Sequence, residues 1–228
     1  MRAAFVSREF LTADIASFSF KPERPFTFTA GQFTELTLPG LPLHQFTISS
    51  SPHEELITIT TRLSGSDFKQ ALFALEPGTP VNLSEPMGDF VLPLLVQTPL
   101  VFVAGGLGIT PFHSIISWLN HTGEKRPIHL FYNTRSEDDL LFLESFHAAD
   151  VPIISMVSQP SNAWGGERGN LTGELILDLE QRTAPETLYY LAGSEKFVTR
   201  MQKELTDLGV KHHQFVLDEF QGYNEELN

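Results

Sequence analysis

Two segments of this chain gather residues suited to chemistry, and neither contains a carboxylate, a lysine or an arginine. Ala104-Gly105-Gly106-Leu107-Gly108-Ile109-Thr110-Pro111 sits between a continuous apolar run and a helical stretch. Its glycines permit positive φ and close approach of a ligand to the backbone. The helix that follows offers unpaired N–H groups and a positive dipole end to a phosphate. Pro111 suits the first helical turn, where its missing N–H costs little. The segment reads either as a nucleotide loop or as a tight strand-to-helix turn without a ligand. No Gly-Lys-Ser/Thr follows, so it is not a P-loop, and Pro111 stands where an ordinary dinucleotide fingerprint has its third glycine. The next strand ends Tyr132-Asn133-Thr134-Arg135, without an acid for a ribose diol. The second segment is His44-Gln45-Phe46-Thr47-Ile48-Ser49-Ser50-Ser51-Pro52. Taken alone, its Phe46-Thr47 pair is an alternating strand. Ser49 to Ser51 lack the Gly-x-Ser-x-Gly frame of a hydrolase nucleophile.

The elements around these segments change character part-way along the chain. Up to about residue 95 the pattern is β, with alternation in Ser17 to Phe20, Phe33 to Leu38 and Leu56 to Thr61. Gly31, Pro39-Gly40, Pro52, Pro77-Gly78 and Pro86 to Gly88 punctuate it. Six or so short strands at that spacing predict a small antiparallel barrel. Phe68, Leu72 and Leu75 fall at helical spacing, so a short helix over Asp67 to Leu75 interrupts it. After Pro93, Leu100 to Ala104 reads as a strand buried on both faces. Further strands are predicted at Ile128 to Tyr132, Ile153 to Val157, Leu188 to Ala192 and Gln214 to Leu217. Helices are predicted over Pro111 to Asn120, Glu137 to Phe146, Gly173 to Leu179 and Glu195 to Leu208. In the last, Ser194 is the N-cap, Gly209 the stop, and Phe197, Met201, Leu205 and Leu208 form the apolar face. Alternating strand and helix imply a doubly wound parallel sheet. The expected division is residues 1–96 and 97–228, with the boundary falling within 93–99.

Composition narrows the function classes. Acids outnumber bases 28 to 15, giving a net charge of −13, which argues against nucleic acid and anionic membrane surfaces as partners. An anionic cofactor must be held by local dipoles and a few placed cations. There is no cysteine, which removes disulfides, thiolate nucleophiles and Cys-held iron–sulfur clusters. The eight histidines are scattered; His212-His213, on a predicted strand, would face opposite ways, and no metal site is expected. The first residues carry no apolar signal core and no 18-residue apolar run occurs, so a soluble cytoplasmic protein is expected.

Three motifs in order resemble the ferredoxin–NADP reductase family. His44 to Pro52 is similar to its flavin-binding segment, usually Arg-x-Tyr-Ser before a Ser-rich turn. Gly106-Leu107-Gly108-Ile109-Thr110-Pro111 looks like its Gly-x-Gly-x-x-Pro nicotinamide-nucleotide loop, and Asp218-Glu219-Phe220-Gln221-Gly222-Tyr223 like its acidic-x-aromatic ending. The similarity extends through Glu85-Pro86-Met87-Gly88-Asp89-Phe90. The resemblance implies an antiparallel Greek-key β-barrel that binds FAD, followed by an α/β domain that binds NADH or NADPH. It implies hydride transfer from nicotinamide C4 to flavin N5 across about 3–3.5 Å, and delivery of electrons to a separate acceptor, a small redox protein or a small molecule.

Carried over residue by residue, the resemblance assigns Phe46 to the aromatic beside the flavin and Thr47 to a hydroxyl near N5. Ile48, Ser49 and Thr61 join the flavin-binding set. His44 departs from the family's arginine, and Ser66-Asp67-Phe68-Lys69 from its Gly-x-x-Ser phosphate segment. Lys69 is therefore expected to supply the missing charge to the flavin pyrophosphate. Gly106, Gly108, Thr110, Pro111 and Gly193 are the nucleotide contacts the resemblance implies, although Gly193-Ser194 replaces the usual Gly-Pro. Ser158 and Arg168 form half of an NADP-type phosphate site, leaving both nucleotides open. Phe220 is the implied gate over the flavin face, with a core aromatic as its alternative. Two other classes stay open: a flavin- or nucleotide-binding regulatory or docking module without turnover, motivated by His44 and Ser66–Lys69, and a plain NAD-dependent dehydrogenase without flavin, disfavoured by Pro111 and by the missing acidic ribose ligand.

Overall fold

The computed structural model describes residues 1–179 and 185–220. Six antiparallel strands come first: β1 (Arg2–Phe10), β2 (Ile15–Pro22), β3 (Phe33–Thr37), β4 (His44–Thr47), β5 (Ile57–Arg62) and β6 (Pro80–Leu83). Their spatial order is β4-β3-β6-β1-β2-β5, so β6 returns to lie between β3 and β1 in a Greek-key arrangement. Beyond β4, the Ser49 N–H donates to the Thr58 carbonyl of β5 (2.8 Å), drawing the two outer strands together into a barrel. Period-2 alternation turns Phe18, Phe20, Leu36, Ile57 and Ile59 into the interior, where all are buried. The expected helical insertion is α1 (Asp67–Phe73), capped by the Ser66 hydroxyl on the Lys69 N–H (3.3 Å) and burying Phe68 and Leu72.

The second half contains β7 (Leu100–Gly105), α2 (Thr110–Thr122), β8 (Ile128–Thr134), α3 (Leu143–Ala148), β9 (Ile153–Val157), β10 (Glu167–Arg168), α4 (Gly173–Leu179), β11 (Leu188–Ser194), α5 (Glu195–Asp207) and β12 (Phe215–Phe220). The strands pair in parallel in the order β10-β9-β8-β7-β11-β12. The apolar run of β7 is explained by burial on both sides. Phe102 packs with Phe112, Ile116 and Tyr190 on one face, while Val101 and Val103 pack with Val198 and Met201 on the other. The chain leaves β7 toward β8 and later returns to β11 on its opposite side, which makes the carboxyl end between β7 and β11 the switch point of the sheet.

Three sequence expectations give way. Residues 137–146 are not one helix: a 3-10 turn over Glu137–Asp139 is separated from α3 by Phe142, whose φ of 61° breaks the helix. The Tyr132 hydroxyl donates to the Asp139 carbonyl (2.8 Å) and Phe142 stacks on His113 (4.0 Å), so tertiary contacts fix that break. His212-His213 lie in a 3-10 turn over His212–Gln214 rather than on a strand, because the Gln214 side chain accepts from Lys211 N–H and donates to the Thr187 carbonyl (2.9 Å each). On α5 the buried residues are Val198, Met201 and Leu205, with Phe197 packed beside them, whereas Leu208 is 44% exposed beyond the helix end.

The two halves are joined at several points. The Ser114 hydroxyl donates to the Ser50 carbonyl (2.6 Å), and His113 Nδ1 donates to the Ser49 carbonyl (2.8 Å). Arg62 binds Asp14 within the barrel and Asp139 in the α/β half (2.6 Å to the latter). The Tyr190 hydroxyl donates to the Val91 carbonyl (2.6 Å) in the connecting segment.

Candidate functional site

The barrel contributes one wall. In β4 the His44 ring is buried and stacks on Phe68 at 4.0 Å; burial and the nearby Lys69 charge lower its pKa and keep it neutral. Phe46 is packed near Phe68 (5.9 Å), and the Lys69 ammonium lies 4.6 Å from its ring centroid. That ammonium also donates to the Thr61 hydroxyl, and among the described residues no carboxylate pairs with it. Burial pushes Lys69 down to about 8. His44, Phe46, Thr61 and Lys69 thus come together. Ile48 and Ser49 differ: Ile48 is fully buried in the barrel core, and the Ser49 hydroxyl is used on the Thr58 carbonyl and the Thr60 hydroxyl (3.0 Å each). Both side chains are thus taken up by the barrel itself, a distinction that strand alternation cannot make without the barrel's closure.

The parallel sheet contributes the other wall. Gly105 ends β7, and Gly106–Ile109 form a 3-10 turn that leads straight into α2, with Pro111 in its first turn. Gly106 adopts φ +54°, with open space where a Cβ would point. Gly108 is constrained by protein rather than by ligand: a Cβ there would stand 2.1 Å from the Ala192 carbonyl oxygen. Gly193, at φ +153°, would place a Cβ 3.0 Å from the Gly105 carbonyl oxygen. The two glycine turns therefore pack directly against each other at the switch point. Thr110 is buried, and its hydroxyl donates to the Leu107 carbonyl (3.0 Å), bracing the turn.

Besides the His113–Ser49 and Ser114–Ser50 bonds, the walls meet at β12. Thr47 Oγ1 donates to Asp218 Oδ2 (3.4 Å), and in β12 Asp218 pairs with Ala192 of β11, the residue beneath Gly108. Burial raises the Asp218 carboxyl to about 6, opposed by the Thr47 hydrogen bond. The strand carrying Phe46 and Thr47 is thus hydrogen-bonded to β12, whose neighbour β11 packs against the Gly106–Ile109 turn. In the backbone, Phe220 pairs with Ser194; its side chain and Gln221 to Tyr223 lie outside the described residues.

The profile of the oxidoreductase NAD-binding domain matches residues 102–203. The chain is 27% identical over 231 residues to the reductase component of propane 2-monooxygenase from Rhodococcus jostii, covering 92% of this chain and 60% of that protein. It is 31% identical over 161 residues to a component of the Na(+)-translocating NADH-quinone reductase of Actinobacillus succinogenes, covering 66% of this chain and 39% of that protein. A ferredoxin NADP+ reductase from Neisseria gonorrhoeae, crystallised with FAD and NADP, superposes with a TM-score of 0.82 at 19% identity, over 96% of this chain and 98% of that one. The chain has the ferredoxin–NADP reductase-like fold. It spans 39–60% of the length of the curated relatives it matches.

Ser158 and Arg168 lie on the far side of the parallel sheet, beside β8 and β9. The Ser158 N–H donates to the Thr134 carbonyl (3.0 Å), and β10 pairs Arg168 with Val157, so Ser158 and Arg168 are neighbours although far apart along the chain. The Arg168 guanidinium is spent within its loop, donating to the carbonyls of Ser161 (3.1 Å) and Trp164 (2.5 Å). Sequence reasoning missed Glu137, whose two carboxylate oxygens each accept from the Ser161 N–H at 3.2 Å. The sequence pattern places Glu137 in a helix, and its link to the β9 loop is visible only once that helix breaks. The His113–Ser49 and Ser114–Ser50 contacts were missed as well; a polar His113-Ser114 pair between Phe112 and Ile115 was their one signal. Among the described residues no cluster of metal-ligating side chains occurs and no helix is long and apolar enough to cross a membrane.

Proposed function

We propose that this chain is an FAD-dependent NAD(P)H oxidoreductase that passes electrons to a separate acceptor, a small redox protein or small molecule. Residues 1–96 would hold FAD and residues 97–228 the nicotinamide nucleotide, in a cytoplasmic protein. The observation that carries this reading is the Thr47–Asp218 hydrogen bond, which ties the barrel strand to the sheet edge beside Gly105, Gly108 and Gly193.

The donor set fits FAD. Among the described residues Lys69 is a partly desolvated cation without a carboxylate partner, an arrangement suited to an incoming phosphate. Neutral His44 leaves Lys69 as the charge at this point. Its ammonium covers the Phe46 ring; movement from ring to pyrophosphate would free an aromatic face for the isoalloxazine. When bound, the flavin supplies the two-electron acceptor that side chains lack. The chain's own part is positional. Gly106 and the first turn of α2 direct N–H groups at the nucleotide pyrophosphate. Thr47 and Asp218 hold an exchangeable proton at Thr47 Oγ1 and the Asp218 carboxyl. Phe220 as a gate belongs to the proposal as well.

Purified protein reconstituted with FAD should be yellow and should bleach when NADH or NADPH is added without oxygen. A yellow protein that never bleaches favours a flavin-binding module without turnover. Protein that takes up no FAD overturns the flavin reading.

A further inference from the structure

The proposed nucleotide has a direction that the fold itself sets. Its hydride end must lie where the barrel wall reaches the sheet, and Thr47 makes that contact at Asp218 of β12. Its pyrophosphate belongs at the Gly106–Thr110 turn that follows β7. A dinucleotide that starts beside β11 and β12 and crosses the end of β7 can continue only over β8 and β9. The adenosine ribose is therefore read by whatever stands at the carboxyl ends of those two strands.

The groups there form a small hydrogen-bonded set. Arg135 donates from Nε to Gln159 Oε1 (2.8 Å). Arg168 binds the carbonyls of Ser161 and Trp164, and the Trp164 indole N–H donates to the Glu167 carbonyl (3.1 Å). Glu137 accepts from the Ser161 N–H with both oxygens, and these bonds together with the Arg168 charge hold its carboxyl below the usual carboxylate range. The turn carrying Glu137 is anchored at its other end, where Asp139 binds Arg62 of the barrel (2.6 Å) and its carbonyl accepts from Tyr132. A fixed, ionised acceptor thus bridges the ends of β8 and β9. A ribose 2′-hydroxyl can donate to it. A 2′-phosphate would stand beside a like charge and compete with two carbonyls for Arg168.

We infer that Glu137 makes this chain selective for NADH over NADPH, by acting as the acceptor for the unphosphorylated adenosine ribose. The inference rests on the oxidoreductase reading given above and specifies its reductant. It also supplies the acid that the end of β8 lacks when the sequence is read alone.

The test is calorimetric titration of the FAD-loaded protein with ADP-ribose and with 2′-phospho-ADP-ribose, which reads binding apart from turnover. ADP-ribose should bind about 10- to 100-fold more tightly, the range for one hydrogen bond to a charged partner. Glu137→Gln keeps an acceptor for Ser161 but loses the charge, so the gap should shrink to less than about threefold, chiefly by tighter binding of the phosphorylated ligand. Equal affinities in the unaltered protein, or a preference that survives Glu137→Gln, would overturn the inference while leaving the dinucleotide site intact. If neither fragment binds, the dinucleotide reading fails and the inference fails with it.

Discussion

Lys69 offers a perturbation whose effects on stability and on ligand binding run in opposite directions. Its folded-state value is about 8 against an ordinary 10.5, a depression caused by burial. The folded state therefore binds its proton less tightly than the unfolded chain does. The cost is fully present below pH 8 and is relieved as pH rises toward 10.5. At about 1.36 kcal/mol per pH unit the gap corresponds to about 3 kcal/mol, and partial solvent access reduces this to about 1–2 kcal/mol. Lys69→Met keeps the apolar stem and removes the charge, so the flavin-free variant should be about 1–2 kcal/mol more stable at pH 7 by urea denaturation. The gain should vanish above pH 10.5, where wild-type Lys69 is neutral in both states. With FAD present the order should reverse. Loss of one charge-assisted phosphate contact should weaken FAD affinity about 10- to 100-fold, whereas ligand at a hundred times Kd stabilises the wild type by about 2.7 kcal/mol. A flavin-free Lys69→Met protein no more stable than wild type would refute the desolvation argument. Unchanged FAD affinity would refute the assignment of Lys69 to the phosphate.

Asp218 gives the complementary sign. Its carboxyl, raised to about 6 from 3.8, contributes stability that is complete below the unfolded value and lost as pH climbs through 6. Asp218→Asn should remove about 1–2 kcal/mol of that decline between about pH 4 and pH 7 in parallel denaturation curves, and an unaltered slope would contradict it. Gly108→Ala should destabilise the α/β half by about 2 kcal/mol or more, because its Cβ would meet the Ala192 carbonyl oxygen at 2.1 Å. A thermal midpoint matching that of the wild type would show that the turn can relax.

What the sequence could reveal depended on whether a residue's surroundings are local. The apolar run of β7, the glycines after it and the Ser194 cap of α5 announce themselves, because strand burial, turn φ and capping are set within a few residues. The Glu137–Phe146 helix failed because its break is imposed by Tyr132 and His113, which come from β8 and α2. Ile48 and Ser49 look like ligand-facing positions until barrel closure turns both side chains inward. Glu137 is hidden for a related reason: its partner, Ser161, is 24 positions away across two strand ends. That His44 and Lys69 lie close together was partly legible, since both depart from the resembled pattern together. The Lys69–Phe46 contact needed the placement of α1 over β4.

The position of these long-range contacts also bears on how such a site can work. Ser114–Ser50 and His113–Ser49 join the first turns of α2 to the Ser-rich segment directly after β4. The helix end that would receive the pyrophosphate and the strand that would face the flavin are thus hydrogen-bonded through adjoining residues. Arg62–Asp139 and Tyr190–Val91 secure the same interface elsewhere. Ser114 is fully buried, and burial keeps His113 neutral, so these bonds resist exchange with water. Hinge closure of the two halves would have to break them. A nucleotide would therefore meet walls already fixed at their spacing, and access would be controlled by smaller movements, such as the Lys69 ammonium leaving the Phe46 ring.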